Sequence, residues 1–187
     1  MPTRQILFIQ GAGAGTHDDW DDKLVDSLRR DLGDAYEVRY PRLPNESEPT
    51  YATWSQAILR QVADLDDGSV LVGHSVGGTI LIHSLVERPP APTLAAVILV
   101  AAPFVGDGGW PADGFDPKSD IGARLPPDLV VHVVLGLEDE TVPRSHADLY
   151  ATAIPQAHLH LLPGLDHQLG NDLSAVAALI RASDREP

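Results

Sequence analysis

The sequence predicts an α/β fold, a mostly parallel sheet of about six strands flanked by helices. Three observations predict it. Short β-branched runs alternate with longer segments of helical period, as parallel strands joined by crossover helices require. Runs such as Val70-Leu71-Val72 and Val97-Ile98-Leu99-Val100 are apolar without alternation, the mark of strands covered on both faces. The length of 187 residues and the 43% apolar content suffice for one core, so a single domain over 1–187 is expected.

In chain order, strands are expected at 5–10, 36–40, 69–74, 95–101, 129–135 and 157–162. Helices are expected between them at 20–31, 51–65, 76–87, 145–154 and 173–182. In the second helix Trp54, Ala57, Ile58, Leu59 and Val62 form a core-facing stripe, which makes Trp54 a packing residue. Residues 103–127, rich in glycine and proline, read as a loop that interrupts the domain without dividing it. No internal repeat or low-complexity tract is visible.

Thirteen basic against twenty-seven acidic side chains give a formal net charge of −14, which would repel a phosphate backbone and sets nucleic acid aside as a partner. No run approaches the eighteen or so apolar residues of a membrane span, so a soluble protein with no membrane partner is expected. The segment 1–10 lacks the apolar core and small-residue site of a secretory signal, and cytoplasmic residence is the expectation. With no cysteine, disulfides, thiolate metal sites and a cysteine nucleophile drop out. No feature selects an oligomeric state.

The strongest local signal is Gly73-His74-Ser75-Val76-Gly77, a G-x-S-x-G elbow between an apolar strand and a helical segment. The chain must turn so sharply there that the serine takes strained backbone angles, and the glycines remove side chains that would collide. Ser75 is then presented at the N-terminal tip of a helix, where the N–H of Val76 can stabilise charge developing on a substrate carbonyl oxygen. The first strand ends in Gly11-Ala12-Gly13-Ala14-Gly15. Without the third spaced glycine of a dinucleotide motif or the lysine of a phosphate loop, this reads as the second half of an oxyanion hole, with the N–H of Ala12 as donor. Asp18, Asp19, Asp21 and Asp22 read as acids favouring the positive end of the next helix, and no metal is expected.

A serine hydroxyl needs a base, and the base an orienting group. Of eight histidines, His132, His158 and His160 fall within strands, His83 lies on the helix beyond the elbow, and His146 opens another helix. His74 occupies the elbow and His17 the first loop. Only His167 lies on a loop after the last strand, completing the order Ser, Asp, His that accompanies such an elbow. The loop after 129–135 offers three carboxylates, Glu138, Asp139 and Glu140, at the sheet edge where open α/β folds place ligand-facing groups.

Together these features resemble the α/β-hydrolase superfamily, and in size and spacing the small retinoblastoma-binding-protein-nine and YdeN group of serine hydrolases. The resemblance covers nearly the whole chain: the Gly-rich first loop followed by Trp20, Tyr40-Pro41 with Pro44 and Trp54, the elbow, the Asp139 loop and His167. It implies Asp139 as the orienting acid, since Asp-x-x-Val-Pro recurs there in such hydrolases. Two positions depart from it: Gln10 stands where many relatives carry histidine, and Asp166 puts a competing carboxylate beside His167 where glycine is common.

The interval 102–128 is too short for the helical cap domain of many relatives. The expected function is cofactor-free hydrolysis of small carboxylic esters, or of thioesters or amides, at a shallow site with Phe104, Trp110 and Phe115 as pocket walls. Because members of the group have been regarded mainly as binding proteins, the alternative is a non-catalytic binding module in which the loop around Gln10 is not formed.

Overall fold

The computed structural model describes residues 3–112 and 114–184. Residues 1–2, the start of the segment read for a secretory signal, lie outside the described residues, as do 113, inside the loop 103–127, and 185–187. Six parallel strands, β1 (Arg4–Ile9), β2 (Tyr36–Arg39), β3 (Ser69–His74), β4 (Leu94–Val100), β5 (Val130–Gly136) and β6 (His158–Leu162), form one sheet in the order β2-β1-β3-β4-β5-β6. The central strands are buried on both faces, with Val70, Leu71, Val72, Val97, Ile98, Leu99 and Val100 all inaccessible to solvent. That is why their sequences carry no alternation. Each such side chain contributes about 1.5–3 kcal/mol by leaving water. The edge strands β2 and β6 are only partly covered, and there polar residues enter the pattern.

Helices α1 (Asp21–Leu32) and α6 (Ser174–Ala182) pack on one face through Leu24, Val25, Leu28, Val176, Ala177 and Ile180. The other face carries α2 (Tyr51–Ala63), α3 (Ser75–Glu87), α4 (Ile121–Arg124) and α5 (Ser145–Ala153). Thr50 caps α2 by accepting the N–H of Thr53 at 3.3 Å, and Trp54, Ile58 and Val62 turn its stripe into the core. The indole N–H of Trp54 donates to the Pro44 carbonyl at 2.8 Å.

Expected and observed element ends differ by one or two residues. The differences in kind are a π-helical turn, Thr16–Trp20, ahead of α1, the four-residue α4 inside what reads as loop, and single 3-10 turns at Gly33–Ala35 and Leu169–Asn171. None is long enough to show a period. The β4–β5 connection holds α4 and no cap domain.

The strand order places the site. From β1 the chain crosses to β2 by α1 on one face, then returns by α2 on the other to β3, on the far side of β1. The loops leaving β1 and β3 therefore run to opposite faces of the sheet, the switch point at whose C-terminal edge open α/β folds place their ligands. Pairing of Ile9 with Gly73 sets the first loop directly beside the elbow.

Burial leaves a pH signature. His83 on α3 is pushed down to about 4 by burial, with Lys118 adding to the effect. His132 on β5 is pushed down to about 4 by burial and then by neighbouring His160 and His158. In the unfolded chain both would titrate near the ordinary value of about 6.5, so that chain binds more protons between the two values. The stability they contribute is present above about 6.5 and is lost as pH falls toward about 4. The midpoint of thermal unfolding should therefore drop between pH 7 and pH 5, and drop less in His132→Asn; an equal drop in parent and variant would rule out that contribution.

Candidate active site

Ser75 takes φ 52°, a left-handed conformation unusual for a residue with a side chain, between the extended His74 and the rest of α3. Glycine makes the turn possible. A methyl group at Gly77 would stand 1.9 Å from the Gln10 carbonyl oxygen, and one at Gly73 2.5 Å from Cα of Gly78. The elbow thus packs backbone to backbone against the end of β1. A methyl at Gly11 would stand 3.2 Å from Cβ of Ser75, which puts Ala12, the next residue, at the edge of the serine's surroundings. Val76 is the second residue of α3, where N–H groups have no intrahelical acceptor.

Asp139 lies on the turn after β5. Its Oδ1 accepts the N–H groups of Thr141 and Val142, both at 2.8 Å, and its Oδ2 accepts from Nδ1 of His167 at 2.8 Å. Burial presses its carboxyl upward, but the bond from His167 and those from Val142 and Thr141 outweigh that and hold it below the ordinary aspartate value. Glu138 and Glu140 are exposed. The loop bearing His167 is tied to this turn by two main-chain bonds, from Leu137 N–H to Leu162 O and from Glu138 N–H to Leu165 O, each 2.9 Å. A methyl at Gly136 would stand 2.2 Å from the Leu165 oxygen, so the close approach needs glycine.

Nε2 of His167 lies 3.0 Å from Oγ of Ser75. Because a carboxylate only accepts, Nδ1 carries the ring hydrogen and Nε2 of the neutral ring accepts from the serine hydroxyl. Ser75, His167 and Asp139 thus form one continuous row. Asp166, the competing carboxylate, points elsewhere: its Oδ1 accepts the N–H groups of Gln168 and Gly170 at 3.1 and 2.9 Å. It thereby braces a turn in which Leu169, Gly170 and Asn171 all have positive φ.

The expectation that the loop around Gln10 might be unformed meets a fixed network. Gln10 donates through Nε2 to Glu46 at 2.7 Å and accepts the N–H of Leu43 through Oε1 at 3.0 Å. Glu46 in turn accepts the N–H groups of Gly15 and His17, each at 3.0 Å, and its carbonyl accepts Gly13 N–H at 2.7 Å. Asp21 is more than a helix-terminal acid. Fully buried, it accepts Gly11 N–H at 2.7 Å and faces Nδ1 of His74 at 3.0 Å.

The three aromatic residues expected to wall a pocket are spread out. Phe104 is buried edge-on to Tyr150, and its N–H donates to Nδ1 of His146 at 2.8 Å. Phe115 stacks on Tyr51 with ring centres 4.2 Å apart and meets His83, eight positions beyond Ser75 on α3 and so roughly 12 Å along the helix. Trp110 is half-buried, edge-on to His146 in the first turn of α5. His132, His158 and His160 gather on β5 and β6. Among the described residues no set of three histidine, aspartate or glutamate side chains is arranged to hold a metal ion, and no helix is long and apolar enough to cross a membrane.

The family model described as the alpha/beta hydrolase family matches residues 6–130. The chain belongs to that family. The match includes Ala12, Ser75 and Val76; Asp139 and His167 lie beyond it. Among solved structures, this hydrolase-family chain is similar to the ydeN gene product of B. subtilis, with 21% identity, a TM-score of 0.78, and coverage of 98% of this chain and 100% of that one. It is also similar to CarC, a serine hydrolase involved in carbazole degradation (15% identity, TM-score 0.71, coverage 96% and 90%). A third likeness is to Est1E of Butyrivibrio proteoclasticus (17%, 0.69, 97% and 87%). At such identities the likeness is one of fold. Comparison with curated proteins finds no match.

Glu46, Asp21 and His74 are the site residues that the sequence does not disclose. Glu46 sits in a polar loop with no motif, and its partners lie 29 to 36 positions away. Removing its carboxylate leaves two main-chain N–H groups and the Gln10 amide short of an acceptor. Glu46→Ala should lower stability by about 1–3 kcal/mol, read from urea unfolding, and should increase amide exchange at Gly15 and His17; unchanged exchange there would show that the carboxylate does not hold the loop.

Proposed function

We propose that this chain is a serine hydrolase that cleaves small carboxylic esters through an acyl-enzyme, with thioesters or amides as further substrates. One observation carries the reading: Asp139, His167 and Ser75 form a row with links of 2.8 and 3.0 Å, ending on a serine at φ 52° at the head of a helix. Such strain persists where surrounding structure over-determines it, and it clusters at functional sites.

Ser75 Oγ attacks the carbonyl carbon while its proton passes to Nε2 of His167. Asp139 holds the ring by Nδ1 and stabilises the imidazolium that forms. The oxygen, now negative, is held by the N–H groups of Ala12 and Val76, with the N-terminal end of α3 adding its field. His167 returns the proton to the leaving alcohol, and the acyl-enzyme forms. Water then repeats the sequence, losing its proton to His167 and freeing the acid and Ser75. No cofactor or metal enters. With no cap domain over the site, short acyl groups fit best, and Trp110, edge-on to His146 in the first turn of α5, is the aromatic residue we assign to its wall. The fixed bonding of the first loop supports catalysis over a binding module.

Loss of a triad nucleophile typically lowers turnover by about six powers of ten. Ser75→Ala should accordingly abolish hydrolysis of a chromogenic acetate or butyrate ester, and labelling by a fluorophosphonate probe, while leaving the circular dichroism spectrum unchanged. Hydrolysis at the parental rate in Ser75→Ala, or a parent that stays unlabelled at high probe concentration, would refute the mechanism.

A further inference from the structure

Two buried groups that the hydrolytic steps do not use meet directly behind the site. Nδ1 of His74, the elbow residue before the serine, lies 3.0 Å from the Asp21 carboxylate on α1. Its other nitrogen, Nε2, lies 3.1 Å from the main-chain oxygen of His167. Both partners are acceptors only. A neutral imidazole has one N–H and can serve one of them; the imidazolium, with two, serves both. Asp21 extends the connection, since its Oδ2 also accepts Gly11 N–H at 2.7 Å and its Oδ1 lies 3.5 Å from the amide nitrogen of Gln168.

We propose that Asp21 and His74, with His74 held as the imidazolium, are positioning residues that lock the base loop and the oxyanion loop in one register around Ser75. The inference rests on the hydrolase reading above. Its physical content is a single buried carboxylate serving three segments. Through Gly11 it fixes the residue before Ala12; through His74 it fixes the main chain of His167; and His74 is itself bonded in sequence to Ser75. No proton of the reaction passes through the pair.

The titratable groups facing His74 are Asp21 from α1, Asp139 from the turn after β5, and the His167 ring, 5.1 Å away between centres. Burial works against charge on His74, but the Asp21 carboxylate and the hydrogen bonds to Asp21 and His167 outweigh it and keep its pKa above the ordinary histidine value. The same pairing, again against burial, keeps Asp21 below the ordinary aspartate value. Both directions agree with the charge that the two acceptors on the His74 ring call for.

Nitrogen-15 NMR of histidine-labelled protein at pH 7, with the His74 signals assigned by their loss in His74→Gln, should show both of its ring nitrogens protonated. A neutral ring would overturn the proposal. In kinetics, two variants separate positioning from mere support: His74→Gln, and the double variant Asp21→Asn with His74→Gln, which leaves no buried ion unpaired. Both should keep the parental KM for a short-chain ester, while kcat and the rate of fluorophosphonate labelling at Ser75 fall about a hundredfold, the scale of a small misplacement of reacting groups. A purely structural pair would lower the melting temperature and leave kcat of the folded variants unchanged, and that result also overturns the proposal. A parent that neither labels nor turns over ends the hydrolase reading, and the positioning role with it, whatever the NMR shows of His74.

Discussion

The backbone contact between the end of β1 and the elbow after β3 is the constraint on which the rest of the site depends. With the Gln10 carbonyl pressed against Gly77 and Gly11 against Ser75, neither loop can shift without the other. Behind them, β1, β3 and β4 are buried on both faces, so the elbow's anchor points do not yield. A left-handed serine costs on the order of 1–3 kcal/mol. That cost is carried by packing in which each fully buried aliphatic side chain contributes a comparable amount, so two or three such residues are enough to offset it.

Around this contact the polar groups arrange themselves by acceptor and donor count. Asp139 accepts two main-chain N–H groups on one oxygen and the His167 ring on the other, which leaves the ring one orientation only. Glu46 receives Gln10 and the N–H groups of Gly15 and His17 in the same manner. Away from water each unmade bond would cost more than a made bond contributes, so saturated networks of this kind fix geometry more firmly than their net energies suggest. Asp166 lies at the surface and is used differently. Its Oδ1 accepts from Gln168 and Gly170, which turns a charge beside His167 into a brace for the left-handed turn at 169–171.

Much of this is written locally in the chain. The elbow is legible because glycine, serine and glycine at fixed spacing between an unbroken apolar run and a helix describe a turn that few other residues permit. The choice among Glu138, Asp139 and Glu140, which the resemblance implies, also has a local cause. Only the short aspartate side chain can curl back to the N–H groups two and three residues ahead while presenting its second oxygen to His167. The pairing of Asp21 with His74 is illegible for the opposite reason. Its members stand 53 positions apart, and each has an adequate local explanation, one as an acid at a helix start and the other as a tolerated residue in the elbow. Phe104 and Phe115 are ambiguous in a related way. Aromatic residues in a loop rich in glycine serve as anchors to the core as readily as they line a pocket, and the contacts of these two with Tyr150 and Tyr51 follow no local pattern in the chain.

The missing cap bears on how a site of this shape would work. An enzyme that closes over its substrate can expel water and so strengthen every charge interaction inside. Here the β4–β5 connection holds one short helix and no cap domain. Stabilisation of a developing oxyanion must then come from donors that are already aimed before the substrate arrives, because nothing closes to aim them. Donors in a loop as rich in glycine as residues 11–15 would drift unless held at several points. The bonds that Gly11 donates to Asp21, and Gly13, Gly15 and His17 donate to Glu46, supply those points on both sides of Ala12. An open site on this fold therefore depends on hydrogen bonds below the surface for the rigidity that a lid would otherwise provide from above.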